Sequence, residues 1–196
     1  MKCLPATNNM CHDDNEIYQI FEGRLHLEFA AAYLFYNQQS LAQQLIHALK
    51  YKNRRDVGLF LGKQMGLGIR HHDLIASVDG LVPLPLHAKK LRKRGYNQAS
   101  VLAEGVASII NKPILDNATT RRVHNATQTK KSRMGRWLNV EHIFDIKNPE
   151  ELENKHLLII DDVVTTGATI EAFGELLERL PNTRISVLSC AVAVGI

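Results

Sequence analysis

Cysteine is scarce in this chain. Its three residues in 196, Cys3, Cys11 and Cys190, are too few for a disulfide scaffold and make the cytoplasm the expected compartment. Long hydrophobic runs are missing as well. The longest candidate, residues 29–36, is short and alanine-rich, against the ~20 apolar residues that a membrane helix requires. No basic-then-apolar leader opens the chain. Aromatic residues make up 6% and barely interleave with the basic ones, which argues against a stacking platform for single-stranded nucleic acid. Internal repeats and low-complexity tracts are lacking. What remains, 45% hydrophobic and 22% charged, describes an ordinary globular protein with one main domain and a modest extension. The net charge of +4 favours anionic ligands without separating nucleotides from nucleic acids.

Residues 156–169 carry the most information. Four consecutive apolar residues, Leu157, Leu158, Ile159 and Ile160, predict a strand buried on both faces, as in a parallel sheet. Asp161 and Asp162 follow at its carboxyl end, where open α/β sheets bind ligands. Next comes a loop of Val163, Val164, Thr165, Thr166, Gly167, Ala168 and Thr169, then a helical run over 171–180. Small residues permit close approach to the backbone, and amides and hydroxyls at a helix amino terminus suit a phosphate. Carboxylates repel phosphate but accept hydrogen bonds from vicinal hydroxyls. A diol on one side and a phosphate on the other describe a ribose 5-phosphate. The bland alternative is a buried strand whose Asp-Asp and Thr cap the next helix.

Elsewhere, 2–22 is polar and irregular, and 25–36 reads as a strand or hairpin. Ser40 is placed to cap a helix with Leu41, Leu45, Ile46 and Leu49 at helical spacing. A second helix covers 57–65, with Gly66-Leu67-Gly68 as its stop and 70–73 as a linker. From residue 74 the pattern becomes strand–loop–helix: strands at 78–84, 113–115, 142–146 and 184–194, a helix at 99–110, and a polar stretch at 117–139. Such alternation predicts a three-layer α/β domain with a mainly parallel sheet over residues 74–196, preceded by a helical and hairpin extension over 1–73. Pro83 and Pro85 must end the first strand of that domain, because neither can donate to a central ladder. Five of the six residues 89–94 are basic. Such a cluster is commonly a solvated face, yet here it follows a strand on the ligand side of the sheet, and guanidiniums bind pyrophosphate bidentately.

These stretches together carry a resemblance. Residues 157–169 resemble the signature of the type I phosphoribosyltransferases, which bind phosphoribosyl pyrophosphate (PRPP). Val82-Pro83-Leu84-Pro85 with Arg94-Gly95-Tyr96-Asn97-Gln98 is similar to a segment of the ComF/GntX branch of that superfamily, named for a competence protein. Residues 45–62 and 127–146 resemble two further motifs of that branch. The resemblance implies that Asp161 and Asp162 hold the ribose hydroxyls, as catalytic groups or simply as ligands. It puts 165–169 around the 5-phosphate, with Leu84, Pro85, Leu86 and Arg94 near pyrophosphate. Lys130, Lys131 and Arg133 fall where related enzymes carry a loop closing over pyrophosphate. Mg²⁺ is implied, bound through PRPP with water completing its shell rather than held in a protein cage.

The implied reaction transfers a phosphoribosyl group to an unidentified nitrogenous acceptor with release of pyrophosphate. No base-binding segment is recognisable after the signature. Two alternatives therefore stand: a non-catalytic PRPP-responsive regulator, and a DNA-uptake accessory protein contacting nucleic acid through 89–94, Arg121, Arg122, Lys130 and Lys131. A competence-machinery partner and a homodimer are both compatible with the chain. At the amino end, relatives of the branch commonly carry a four-cysteine zinc module. Here Cys3-Leu4-Pro5 resembles its tail, as if the chain began inside it. Cys3, Cys11 and His12 lack the paired spacing of structural zinc sites, so no structural zinc is expected.

Overall fold

The apolar run before Asp161 forms an interior strand of a four-stranded parallel sheet. In the computed structural model, which describes residues 6–7, 15–122 and 143–193, the strands are β1 (Leu27–Tyr36), β2 (Gly80–Pro83), β5 (His156–Val164) and β6 (Arg184–Ala193), in the order β1-β6-β5-β2. All three pairings are parallel. A short antiparallel pair, β3 (Thr119–Arg121) and β4 (Phe144–Ile146), forms a separate ribbon. The residues read as a strand or hairpin at 25–36 resolve into one ten-residue strand, β1, which is an edge of the main sheet.

Helices cover both faces. On one lie α2 (Leu41–Tyr51), α3 (Arg55–Ile69) and α5 (Gln98–Ile110), packed on Phe29, Leu81, Leu158, Ile160 and Leu188. On the other lie α1 (Glu16–Phe21), α6 (Ala168–Leu177) and the β3–β4 ribbon, packed on Ala30, Val82, Leu157, Ile159 and Val187. Ser40 caps α2 as expected, accepting from the Gln43 amide at 3.1 Å. The remaining helix, α4 (Ala88–Arg94), carries the basic cluster and buries none of its residues.

Several expectations need correction. Residues 16–21, within a stretch read as polar and irregular, form α1 and bury Ile17 and Phe21, and 119–121, within the polar stretch, form β3. Gly66 and Gly68 do not stop α3, which continues to Ile69. Glycines on this helix serve packing instead: a Cβ on Gly62 would strike the Leu102 carbonyl, and one on the facing Gly105 would lie 2.6 Å from the Leu59 carbonyl oxygen. Small residues at the contact let α3 and α5 approach backbone to backbone. Nor is 70–73 a plain linker. His72 is buried, stacks on Phe29 at a centroid distance of 4.5 Å, and accepts from the Leu74 amide through Nδ1. Residues 113–115 contribute only a single parallel bridge, Ile114 with Leu81, at the outer side of β2.

A candidate ribose-phosphate site at the carboxyl edge of the sheet

β5 runs three residues beyond Asp161, so both aspartates lie within the strand rather than after it. Successive side chains on a strand point to opposite faces, and the two carboxylates accordingly diverge. Asp161 lines a small open hollow of about 40 Å³ with residues 163–170. Asp162 turns toward α2, where Lys50 Nζ lies 2.8 Å from its Oδ1. The alternation then slips: Val163 packs with the α2 side and Val164 with the α6 side, and in β6 Cys190 and Ala191 both pack with the α2 side. Val163 and Ala191 are register partners, so both strands slip at the same level, immediately below the loop.

Thr165, Thr166, Ala168 and Thr169 are exposed, whereas Val164, Gly167 and Ile170 are buried and anchor the loop. Gly167 is the N-cap of α6 with φ 75° and no side chain to satisfy the first amides. Thr166 Oγ1 accepts only a long 3.5 Å bond from the Ala168 amide. The amino end of α6 thus faces the hollow with donor capacity left over, which suits an anion. Helix α6 starts three residues earlier than its apolar pattern indicated.

Electrostatics divide the two aspartates further. Burial, and then the charge of Asp162, push Asp161 up to about 7, while Lys50 and Arg121 pull the other way. Asp161 Oδ1 accepts from the Asp162 amide at 2.8 Å. Arg121 stands with its guanidinium 5.2 Å from the centroid of the Phe144 ring and is itself lowered by burial. Beneath the pair, burial raises the Cys190 thiol, and the Asp162 charge adds to that shift.

Leu84 begins the neighbouring loop, its amide donating to Ile160 O at 2.9 Å, so it is tied to the strand that carries the aspartates. Pro85 and Leu86 follow, half-buried. The stretch 94–98 works as a clamp around this loop. Asn97 Nδ2 donates to Leu84 O at 3.0 Å while its Oδ1 accepts from Ala99, capping α5. Gly95 ends α4 at φ 80°. The Tyr96 hydroxyl donates to Leu49 O on α2. Arg94 donates to Gln98 Oε1 at 2.6 Å and lies 5.1 Å from the centre of the Tyr51 ring. Lys130, Lys131, Arg133, Cys3, Cys11 and His12 lie outside the described residues.

Three residues of this site gave no clear sign in the sequence. Lys50 sits in a helix read for its apolar spacing. Arg121 reads there as a candidate nucleic-acid contact, not as a neighbour of Asp161, whose carboxyl its charge pulls down. Arg24 donates to Ile20 O and Thr166 O, both at 2.9 Å, and pairs with Glu171 on α6, stitching α1 to the loop. A basic residue three to seven positions from an apolar face is too common a pattern to single any of them out.

A parallel sheet with helices on both faces, carrying paired aspartates and a hydroxyl-rich turn at an interior strand's carboxyl end, defines the phosphoribosyltransferase class. Residues 97–194 match the model of the phosphoribosyl transferase domain, and the chain belongs to that family. Competence protein F of Haemophilus influenzae is 29% identical over 154 residues, covering 76% of this chain and 67% of that protein. DNA utilization protein YhgH of Escherichia coli (strain K12) is 30% identical over 138 residues, covering 69% and 60%. The chain thus spans roughly three fifths to two thirds of the length of these relatives. Among solved structures, the glutamine PRPP amidotransferase from B. subtilis complexed with ADP and GMP superposes with a TM-score of 0.51 at 17% identity. It covers 73% of this chain and 30% of that one, a likeness of fold. The chain is therefore a homologue of the competence F and DNA utilization proteins, built on a type I phosphoribosyltransferase fold.

Proposed function

We propose that this chain binds PRPP at the carboxyl edge of β5 and transfers its phosphoribosyl group to a nitrogenous acceptor. The observation that carries this reading is the hollow bounded by Asp161 and the uncapped start of α6: one carboxylate for hydroxyls and a turn of amides and threonine hydroxyls for a phosphate. In the reaction, acceptor nitrogen bonds to C1 as the C1–O bond breaks, and pyrophosphate leaves with the electron pair. Charge builds on the sugar and on the departing oxygen, so holding the ring and neutralising the leaving group supply much of the rate. Asp161 accepts from the ribose hydroxyls, Asp162 joins it only by giving up its ion pair with Lys50 on the α2 side, and residues 164–169 hold the 5-phosphate. The loop at Leu84, Pro85 and Leu86 lies beside them for pyrophosphate, with Arg94 and the basic α4 supplying positive potential. Either aspartate is also within the chain's means as a base for the acceptor proton.

The donor set fits Mg²⁺ carried on PRPP oxygens. Asp161 offers one carboxylate edge, Asp162 is engaged by Lys50, and no group of three ligating side chains converges among the described residues. When bound, such an ion would neutralise pyrophosphate charge. Calorimetric titration with PRPP and Mg²⁺, followed by pyrophosphate-release assays over purines, pyrimidines and small amines, tests both binding and turnover. Binding without release supports the regulatory reading, and no heat removes both. A crystal grown with sulfate should hold the anion against the 164–169 amides.

One observation favours a second reading as DNA accessory: α4 presents Lys89, Lys90, Arg92 and Lys93 to solvent, and two relatives are named for competence and DNA utilization. Binding of that kind weakens steeply with salt, whereas a PRPP pocket should keep its Mg²⁺ requirement. No described helix is long and apolar enough to cross a membrane.

A further inference from the structure

The turn that offers its amides to a phosphate is backed by a segment far from it in sequence, the arm that carries α1. That arm is fastened to the sheet where it starts. Asn15 caps α1, accepting from the Ile17 amide at 2.9 Å, and donates through Nδ2 to Ala30 O on β1 at 2.8 Å. Ile17 and Phe21 share one core cluster with Val164 and Ile170, the buried residues on either side of the turn. Contact is close: a Cβ on Gly167 would lie 2.8 Å from Phe21 Cε1.

Arg24 closes the arm onto the turn. Its Nη1 donates to Ile20 O and Thr166 O, both at 2.9 Å, and its Nη2 donates to Glu171 Oε2, so one guanidinium joins α1, the turn and α6. In a trans peptide the carbonyl and the following N–H point in opposite directions. With Thr166 O held by Arg24, the Gly167 N–H is turned away from the arm. Glu171 lies in the first turn of α6, where its charge offsets the positive helix end that an anion would use. Left unpaired, it would repel a phosphate dianion, and Arg24 cancels it. The two side chains are 32% and 27% exposed, so solvent and salt screen this pair less than one standing free on the surface.

We propose that Arg24 is a positioning residue for the 5-phosphate: it aims the Gly167 amide at the anion and cancels the charge of Glu171, which makes the amino-terminal arm part of the binding site. The proposal rests on the PRPP reading above and adds to it a residue that acts through the turn, since both Nη1 protons go to protein carbonyls. The first helical bond of α6 runs from the Glu171 amide to Gly167 O at 2.9 Å. The amides of Ala168, Thr169 and Ile170 precede it and have no partner within the helix, so the Gly167 N–H joins a set of donors already facing the phosphate.

The test uses the full chain with Arg24→Met, Arg24→Lys, Glu171→Gln and the double variant Arg24→Met with Glu171→Gln. Each is titrated by calorimetry with PRPP and Mg²⁺, and with ribose 5-phosphate, at a temperature where circular dichroism shows it folded. Arg24→Met should bind both ligands about tenfold more weakly, and Arg24→Lys should recover part of that loss. Glu171→Gln should bind about threefold more tightly, the worth of one charge at a helix end, and the double variant should regain a similar factor over Arg24→Met. A bridge that serves only as scaffold predicts the opposite sign, because losing either end loosens it. Weaker or unchanged binding in Glu171→Gln would therefore overturn the proposal, and that variant decides the matter even if Arg24→Met does not fold. An order that holds for PRPP but not for ribose 5-phosphate would place the effect at pyrophosphate and overturn it too. If the parent binds PRPP and Arg24→Met matches it within twofold, the PRPP reading stands and this inference falls. A parent that binds neither ligand removes both.

Discussion

The two ends of β5 place polar groups in similar surroundings and treat them in opposite ways. At the amino end His156 is fully buried and fully partnered. Its Nδ1 lies 2.8 Å from Ser77 Oγ and its Nε2 2.8 Å from Ser186 Oγ, while its backbone amide donates to Asp79. Ser77 already donates its hydroxyl to Leu74 O, so Nδ1 carries the proton and Nε2 accepts from Ser186. At the carboxyl end Asp161 accepts one bond from the next residue's amide and opens onto a hollow. A closed network fixes the strand in place; an open one leaves capacity for a ligand. Position on the strand is no guide to which is which, because both ends interrupt the same apolar run.

The comparison breaks most sharply if the open end proves dispensable for binding. Asp161→Asn with Asp162→Asn should lower PRPP affinity by about 100-fold or more, since hydrogen bonds to charged groups are worth ~1.5–3 kcal/mol each. The fold should survive, because asparagine keeps the shape of aspartate and Asp161 opens onto the hollow rather than into packed core. Calorimetry with PRPP, paired with a melting curve, separates the outcomes: normal binding removes the diol assignment, and unfolding favours a purely structural role.

Gly167→Val sharpens the same contrast from within the loop. A Cβ there would meet α1. It would lie 2.8 Å from Phe21 Cε1 and 2.9 Å from Ile20 Cγ2, on a backbone at φ 75°. The expected effect is loss of α1 docking and loop geometry together, about 3 kcal/mol of stability, with PRPP affinity falling as the loop distorts. Unchanged affinity would refute the loop assignment. At the closed end, His156→Ala should cost about 2–3 kcal/mol by leaving the buried Ser186 hydroxyl without its acceptor and opening a cavity beside Phe29, while PRPP affinity stays within twofold at temperatures where the variant is folded. A tenfold loss of affinity would mean that the two ends are not separable.

Much of this contrast was legible beforehand, and the remainder was not for identifiable reasons. The strand over residues 157–160, its interior position and the threonine-rich turn follow from local pattern, since burial on both faces demands an unbroken apolar run. The Ser40 cap and the α5 span follow from capping chemistry and period. The divergence of Asp161 and Asp162 was hidden because it depends on how far β5 continues. Lys50, Arg24 and Arg121 reach the site from distant segments, and no local pattern encodes that proximity. Glycines 66 and 68 misled because a helix breaker and a close-packing residue look identical in one sequence. In the stretch 94–98 the resemblance gives a ligand role to Arg94 alone, whereas the structural roles of Asn97 and Tyr96, which donate to the Leu84 and Leu49 backbone carbonyls, depend on distant partners that no local pattern encodes.

The smallest expected effect is a pair of opposed pH dependences. Burial, then the charge of Asp162, raise Asp161 to about 7, against roughly 3.9 in an unfolded chain. Between those values the folded state binds more protons than the unfolded one, so this group makes stability fall as pH rises from about 4 to 7, with no further change above. Burial, then the charge of Arg184, lower His156 below its ordinary value of about 6.5. There the unfolded state binds more protons, so stability falls as pH drops below about 6.5. Asp161→Asn should remove the first slope and gain on the order of 1 kcal/mol at pH 8 relative to pH 5. His156→Asn should remove the second while lowering stability throughout. Urea midpoints for the parent and both variants, measured from pH 5 to 8, check this directly. If Asp161→Asn leaves the slope unchanged, the carboxylate is ionised at neutral pH with Lys50 and Arg121 outweighing burial, and the ribose diol would then meet two charged acceptors rather than one.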